Sequence, residues 1–325
     1  LPHVPWQRFL EAQERTLARG DLSVNSAWPE PLADALRAQY GAKAAELDEA
    51  LAQEPPQTLR ANTLKCSRQN LLARLIKHGL KARASALAPA GIVIEEHADV
   101  FSLREFKDGW FELQDEASQL VAELLGPAKP DLWVDYCAGA GGKTLAMAAM
   151  LANRGQIIAC DTSRRRVQEL TRRVKRAGAG NVQSVEFRDD ADALAVYHGK
   201  AARVLVDGPC SGTGALRRKP DIRLRFSGDE LTRFPRMQLE ILEAATKLCA
   251  PGGRLVYATC SVLREENEDV VEKFLARGGF ELEPVSGILP EELFSRVATP
   301  DGRFMQCLPH IHNTDGFFAA ALKKK

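Results

Sequence analysis

The chain has no run of about 18 apolar residues anywhere in its 325, which excludes a membrane-spanning helix. It shows no charged-then-apolar leader, so a cytoplasmic protein is expected. Charge of one sign is also missing. The 44 Lys and Arg against 43 Asp and Glu leave +1, so any nucleic-acid binding must come from local patches. The seven cysteines are odd in number, scattered and nowhere spaced Cys-x-x-Cys, which argues against a disulfide framework and a structural zinc site. Cys66, Cys160, Cys249 and Cys307 read as small hydrophobes in a reducing compartment. Internal repeats and low-complexity stretches are absent apart from the Lys323-Lys324-Lys325 tail. Leu1 stands where a methionine is usual, so upstream residues are expected to be missing. What remains is an ordinary globular composition, 45% hydrophobic and 27% charged, long enough for roughly two domains or one with an appendage.

Residues 1–54 are rich in Ala, Glu, Leu and Arg, with Trp6, Phe9 and Leu10, then Leu32, Leu36 and Tyr40, at roughly helical spacing. Pro29 and Pro31 interrupt this helical segment and Pro55-Pro56 closes it. Residues 55–105 read as a small α+β unit. It has a strand at 59–64, then a helix capped by Ser67, facing inward through Leu71, Leu72, Leu75 and Ile76 and stopped at Gly79. Strands at 81–87 and 91–95 complete it. Its scattered Arg and Lys read, on charge alone, as a solvated surface. Across 106–325 strands and helices alternate: strands at 132–137, 156–161 and 185–189, helices at 142–151 and 163–177. Edge strands are expected at 280–285 and 317–322. Such alternation predicts an α/β fold, a doubly wound parallel sheet with helices on both faces.

Two strands end in the same way. Val204-Leu205-Val206-Asp207 breaks at Gly208-Pro209-Cys210-Ser211, and Leu255-Val256-Tyr257-Ala258-Thr259 breaks at Cys260-Ser261. Both apolar runs suit strands buried on two faces, so Asp207, Cys210 and Cys260 are presented at the carboxyl edge, where open α/β sheets bind ligands. A thiolate there is a candidate nucleophile, whereas an isolated buried cysteine is usually inert. The turn Cys137-Ala138-Gly139-Ala140-Gly141-Gly142-Lys143-Thr144 opens a helix and invites an anionic group. A P-loop lacks its first glycine there, because Cys137 occupies the place. A dinucleotide fingerprint lacks its third, because Thr144 does. S-adenosylmethionine is the third candidate, with Asp161 placed for ribose hydroxyls and Asp189 or Asp190 for adenine.

With these stretches the chain resembles the NOP/Sun family of RNA cytosine-5 methyltransferases, in its bacterial Sun/Fmu-like form. The likeness rests on Gln114-Asp115-Glu116-Ala117-Ser118, the loop from Cys137 to Thr144, and the cysteine stretch from Asp207 to Gly214. It rests also on Thr259-Cys260-Ser261 with Glu265-Glu266-Asn267-Glu268, and on Leu308-Pro309-His310 with Asp315-Gly316-Phe317-Phe318. These stretches span roughly residues 110–325. The resemblance implies a class I S-adenosylmethionine methyltransferase: a Rossmann-like, doubly wound sheet with an antiparallel edge strand. It implies methylation of carbon 5 of cytosine in structured RNA, ribosomal RNA ahead of transfer RNA. Cys260 would attack carbon 6, Asp207 would hold the base, Cys210 would assist product release, and Lys143 would lie by cofactor and base. The implied cofactor residues are Cys137, Ala138, Gly139, Ala140, Gly141, Gly142, Lys143, Asp161, Asp190 and Asp207.

In that family the α+β unit helps grip RNA, and Arg217-Arg218-Lys219 resembles a basic loop that could reach phosphates. The runs Arg164-Arg165-Arg166 and Arg172-Arg173-x-Lys175-Arg176 read as a solvated helix face rather than an RNA track. Gly139-Ala140 replaces the family's usual Ala-Pro, and Gly208 its usual Ala, which changes loop stiffness rather than binding. The first 54 residues fall short of the helical domain that some bacterial members carry. His310 and His312 lack a third ligand, so no metal is expected, and a monomer is. Two rivals remain: a cytosine-5 DNA methyltransferase using Cys210 as nucleophile, and a catalytically silent RNA-binding assembly protein.

Overall fold

The computed structural model describes residues 28–127, 129–187 and 192–325. Trp6, Phe9, Leu10, Asp189 and Asp190 lie outside them. The small unit is a four-stranded antiparallel sheet of β1 (Gln57–Ala61), β2 (Ala82–Ala84), β3 (Gly91–Ile94) and β4 (Phe111–Leu113), in the order β2-β3-β1-β4. Against it packs the helix Arg68–Lys77, whose first turn is capped by Ser67 Oγ accepting from the Asn70 amide at 3.2 Å. Leu71 and Leu75 are fully buried, but Ile76 is 53% exposed and does not face inward as its spacing predicts. The expected boundary at 105 also moves. Leu59 pairs with Leu113 and Ala61 with Phe111, so the sheet closes only at 113; three residues carry too little periodicity to announce a strand.

The large sheet holds β5 (Leu132–Asp135), β6 (Gln156–Asp161), β7 (Val182–Glu186), β8 (Ala201–Asp207), β9 (Cys249–Thr259), β10 (Phe280–Glu283), β11 (Met305–Cys307) and β12 (Phe317–Lys324). Its order is β10-β12-β9-β8-β5-β6-β7, with β11 paired to β12. β7 through β9 run parallel, and β12 is antiparallel to both β9 and β10 at that end of the sheet. β7 starts earlier than 185, because its register with β6 begins at Ile157↔Val182. Gln183 and Ser184 hide it in the sequence, and an edge strand tolerates them. Alternate residues feed two cores: Trp133, Leu205 and Val256 on one face, Val134, Val204 and Leu255 on the other. The chain leaves β5 toward β6 and β7, then returns to place β8 on β5's other side. The order reverses between β5 and β8, and there the carboxyl ends open a crevice.

The helical segment, Glu30–Tyr40 and Ala44–Ala52, docks on the large domain rather than the small sheet. Leu32, Leu36, Leu47 and Leu51 pack with Leu216, Ile222, Val262 and Leu263. Tyr40 donates its hydroxyl to the Val262 carbonyl at 2.7 Å, and Arg223 pairs with Asp48 at 2.9 Å. The segment thus braces the chain that follows each of Cys210 and Cys260.

Candidate active site

Strand ends β8 and β9 bring the two cysteines together. Cys210 Sγ lies 3.3 Å from Cys260 Sγ, and both side chains are half-buried. The hydrogen bond with Cys260, then burial, pushes the Cys210 thiol well above the usual thiol range. Cys210 therefore holds its proton. Beside them Lys143 Nζ donates to Asp207 Oδ2 at 2.6 Å, and Lys143 also sits 5.0 Å over the Phe317 ring. A cation at a helix start opposes the helix dipole; the Asp207 carboxylate and the ring face offset that cost. Asp207 keeps 31% of its side chain open, so its ion pair with Lys143 does not close it off from the crevice.

Behind the cysteines lies a polar hub built on Glu266 and Asn267, two residues of a stretch that carries the resemblance but had no role given to it. Glu266 is 0% exposed and accepts the Ser211 amide at 2.9 Å, the Ser211 hydroxyl, the Ser261 hydroxyl at 2.6 Å and Gln238 Nε2 at 2.9 Å. Gln238 Nε2 also donates to the Pro209 carbonyl at 3.0 Å. Asn267 donates to the Ser261 carbonyl at 3.0 Å and accepts from Thr259 Oγ1 at 2.5 Å. One carboxylate thus fixes both cysteine turns. The small hydroxyl beside each cysteine was the available signal; Gln238, inside the helix Glu230–Thr246, gave none.

Gly214 ties this hub to the carboxyl-terminal stretch. Its amide donates to the Cys260 carbonyl at 2.9 Å and its carbonyl accepts from Gly316 at 2.8 Å. A Cβ there would stand 2.1 Å from the Gly316 carbonyl oxygen. Gly214→Ala must therefore shift backbone on both sides, and is expected to lose about 1–3 kcal/mol of stability in denaturant titration together with most activity. Unchanged stability would show that these turns have slack.

Arg217 and Arg218 are placed differently from the phosphate-reaching role expected of them. Arg217 donates to the Thr314 carbonyl at 2.8 Å and Arg218 to Asp315 Oδ2 at 2.6 Å and Asp115 Oδ2 at 3.2 Å. Asp115 also caps its own helix through the Ala117 amide, and burial with the Asp115 charge raises the Asp315 carboxyl to about 6. Two buried carboxylates side by side required these guanidinium groups, so only Lys219 of the three is left exposed and free of an ion pair among the described residues. Arg173 and Arg176, read as part of a solvated face, instead clamp Glu112 at 2.9 and 2.7 Å; Arg164, Arg165, Arg166 and Arg172 are exposed.

The loop from Cys137 to Gly141 links β5 to the helix Gly142–Met150. Gly141 is left-handed (φ 88°) and a Cβ would meet Leu170 Cδ1 at 2.3 Å, so only glycine fits. A Cβ at Gly139, also left-handed, would meet nothing within 4 Å, so the loop faces open space there. Asp161 accepts the Gly139 amide at 3.0 Å and the Ser163 amide at 2.8 Å. Amides at a helix start suit the carboxylate of S-adenosylmethionine, and an acid at the next strand end suits its ribose, so the residues present fit that group. Ala138 is buried, and burial pushes the Cys137 thiol far up, so Cys137 serves here as packing and backbone, as does Ala140 through its carbonyl to Arg173 at 2.9 Å.

Asp135, fully buried at the end of β5, accepts from Thr144 Oγ1 at 2.7 Å, while its Oδ1 has no partner among the described residues. Burial pushes its carboxyl from 3.8 up to about 7. Between those values only the folded protein holds the proton, so Asp135 lowers stability progressively as pH rises through that window. Asp135→Asn should abolish this slope and gain up to about 4 kcal/mol over wild type at pH 8, with no gain below pH 4. Parallel melting curves of the two proteins across this range would refute the assignment.

His310 has both ring nitrogens unpartnered among the described residues, and burial lowers its pKa. Among the described residues no three His, Cys, Asp or Glu side chains are grouped to hold a metal, and no helix is long and apolar enough to cross a membrane.

The family model described as 16S rRNA methyltransferase RsmB/F matches residues 122–323, and the RsmF/B-like ferredoxin-like domain model matches 28–101. The probable ribosomal RNA small subunit methyltransferase B of Bacillus subtilis (strain 168) is 33% identical over 94% of this chain and 68% of its own. Ribosomal RNA small subunit methyltransferase B of Pseudomonas syringae pv. tomato is 36% identical over 94% and 67%. The crystal structure of NSun6 from Pyrococcus horikoshii with SFG, an S-adenosylmethionine analogue, superposes with a TM-score of 0.80 at 25% identity, over 92% of this chain and 98% of that one.

Proposed function

The chain belongs to the RsmB/F family of 16S rRNA methyltransferases, and from that premise we propose that it methylates carbon 5 of cytosine in structured RNA through a covalent adduct on Cys260. Membership makes it an S-adenosylmethionine-dependent RNA methyltransferase. Ribosomal RNA is the substrate we favour over transfer RNA, since the relatives are named for it. The observation that carries the cytosine-5 reading is the sulfur pair, 3.3 Å apart, next to the Lys143–Asp207 pair at the switch point.

Carbon 5 of a neutral pyrimidine is a poor nucleophile, and a reversible adduct at carbon 6 divides a hard step into two easier ones. Cys260 attacks carbon 6, and electron density moves onto carbon 5. S-adenosylmethionine, when bound, supplies the methyl group. Asp207, held by Lys143, accepts from the exocyclic amine of the base, and from nitrogen 3 once that atom takes up a proton from solvent, and so fixes the ring over Cys260. Water then takes the carbon 5 proton, the electron pair re-forms the carbon 5–carbon 6 double bond and expels Cys260 as the thiolate, and Cys210, 3.3 Å away, assists by donating its proton to that departing sulfur and regaining one from solvent. The loop from Cys137 to Lys143 with Asp161 and Asp207 forms the cofactor side; Asp190 remains its proposed adenine contact, outside the described residues.

RNA treated with the protein and methyl-labelled S-adenosylmethionine, then digested to nucleosides, should carry its label in 5-methylcytidine by mass spectrometry. Label in another nucleoside or on ribose would overturn the cytosine-5 reading while leaving the family standing.

A further inference from the structure

Between the small sheet and the large domain lies a cavity of about 310 Å³, away from the cysteines, lined among others by Arg60, Gln119, Glu123, Pro89, Ala146 and Met150. Arg60 is 95% buried by its 5% exposure, and its Nε and Nη1 have no hydrogen-bond partner among the described residues. Its natural counter-ion is spent elsewhere. Glu112 stands directly opposite Arg60 across β1 and β4, but its carboxylate is taken by Arg173 and Arg176. Burial accordingly pulls the Arg60 guanidinium down to about 10. Glu123, on the same cavity wall, attracts the guanidinium without hydrogen bonding to it, so this buried cation is only partly compensated. Gln119, 4% exposed, repeats the pattern with the opposite polarity. Its Nε2 donates to the Leu59 carbonyl at 3.3 Å and the Gln114 carbonyl at 3.0 Å, which fixes the amide's orientation and leaves Oε1 an unpartnered acceptor.

We propose that this cavity is a ribonucleotide subsite: Arg60 receives a phosphate, and Gln119 Oε1, with Glu123 beside it, accepts from a ribose hydroxyl. A guanidinium fork matches a phosphate in shape and charge. An acceptor that wants a hydroxyl donor is what separates ribose from deoxyribose. The volume falls in the range of small-ligand pockets, and the apolar walls at Pro89, Ala146 and Met150 suit a sugar edge or base face. The pocket chemistry stands without the methyl-transfer reading. Only the source of the nucleotide, a residue of the substrate RNA or a free mononucleotide, leans on it.

The test uses the full chain saturated with S-adenosylhomocysteine, which occupies the cofactor site, and uridine 5′-monophosphate as probe in calorimetric titration. Wild type should bind it, and the 2′-deoxy analogue about three- to tenfold more weakly, as befits one lost neutral hydrogen bond. Arg60→Met should weaken binding about ten- to a hundredfold, the loss of a charge-assisted contact, while melting no lower than wild type. Met150→Trp fills the cavity without touching Arg60 and should abolish binding, which settles the matter if Arg60→Met does not fold. A short oligouridylate that binds tighter with the same Arg60 dependence assigns the site to RNA; one that binds no better assigns it to the free nucleotide. Binding absent from wild type, undiminished in both variants, or indifferent to the 2′-hydroxyl would overturn the proposal.

Discussion

Cys210→Ala is expected to accumulate protein covalently joined to RNA, visible as a slow band on a denaturing gel, and Cys260→Ala to form none. The asymmetry follows from the geometry. Cys210's proton is held by Cys260 and by burial, which disfavours it as the attacking thiolate and suits it to act after attack. Cys260 follows directly on Thr259, the last residue of β9, and its carbonyl accepts from the Gly214 amide, so its sulfur is presented from a turn anchored on both sides. Without Cys260 the adduct cannot form, and turnover should fall by about 10⁴-fold or more, the scale on which removal of a nucleophile is felt. Without Cys210 the adduct forms and stalls. The reverse pattern would exchange the two roles and match the nucleophile of a DNA-type enzyme. No adduct in either variant, with folding and cofactor binding intact, would point to a silent RNA-binding protein.

Sequence reading reached the strands buried on two faces and their carboxyl ends, because continuous apolar runs broken by Gly208-Pro209 or by Thr259-Cys260 carry an unmistakable pattern. It reached the glycine loop because Gly139, Gly141 and Gly142 cluster where a strand hands over to a helix, and Gly141 does adopt the left-handed conformation (φ 88°). Where a position is settled by long-range pairing it failed. β4 is three residues long and defined only by its register with β1, so the small unit looked complete at 105. Arg217 and Arg218 look like any basic loop until Asp115 and Asp315, 200 residues apart, are seen to converge on Arg218. Arg60 reads as one more surface cation, although the fold buries it. Charge in a sequence does not say which charges meet, and burial of a charge is decided by the partner's position, not its own.

Glu266→Ala should cost more than any other single change outside the reacting groups, because four donors from three segments converge on that carboxylate. Burial pushes the carboxyl up and those donors pull it back. Removing it strands the Ser211 amide and the Ser261 hydroxyl, both essentially inaccessible to water, and frees Gln238 from one of its two acceptors. Each stranded buried donor costs about 1–3 kcal/mol, and breaking the set about 3–5 kcal/mol in unfolding free energy. Glu266 touches neither sulfur, so it is a positioning residue, and stability alone does not test it. The informative variant is Glu266→Gln, which keeps the shape but removes the charge and replaces the oxygen that accepts from the Ser211 and Ser261 hydroxyls with an amide nitrogen that must donate to them, so both hydroxyls have to turn. It should remain folded, bind S-adenosylhomocysteine normally, and lose about a hundredfold in turnover with little change in KM, the scale expected for a displacement of about 1 Å between reacting groups. Adduct formation by the Glu266→Gln, Cys210→Ala double variant should slow by the same factor, since the carboxylate holds both cysteine turns together. Normal turnover in Glu266→Gln would mean that the braces from Tyr40 to Val262 and from Gly214 to Cys260 are sufficient by themselves.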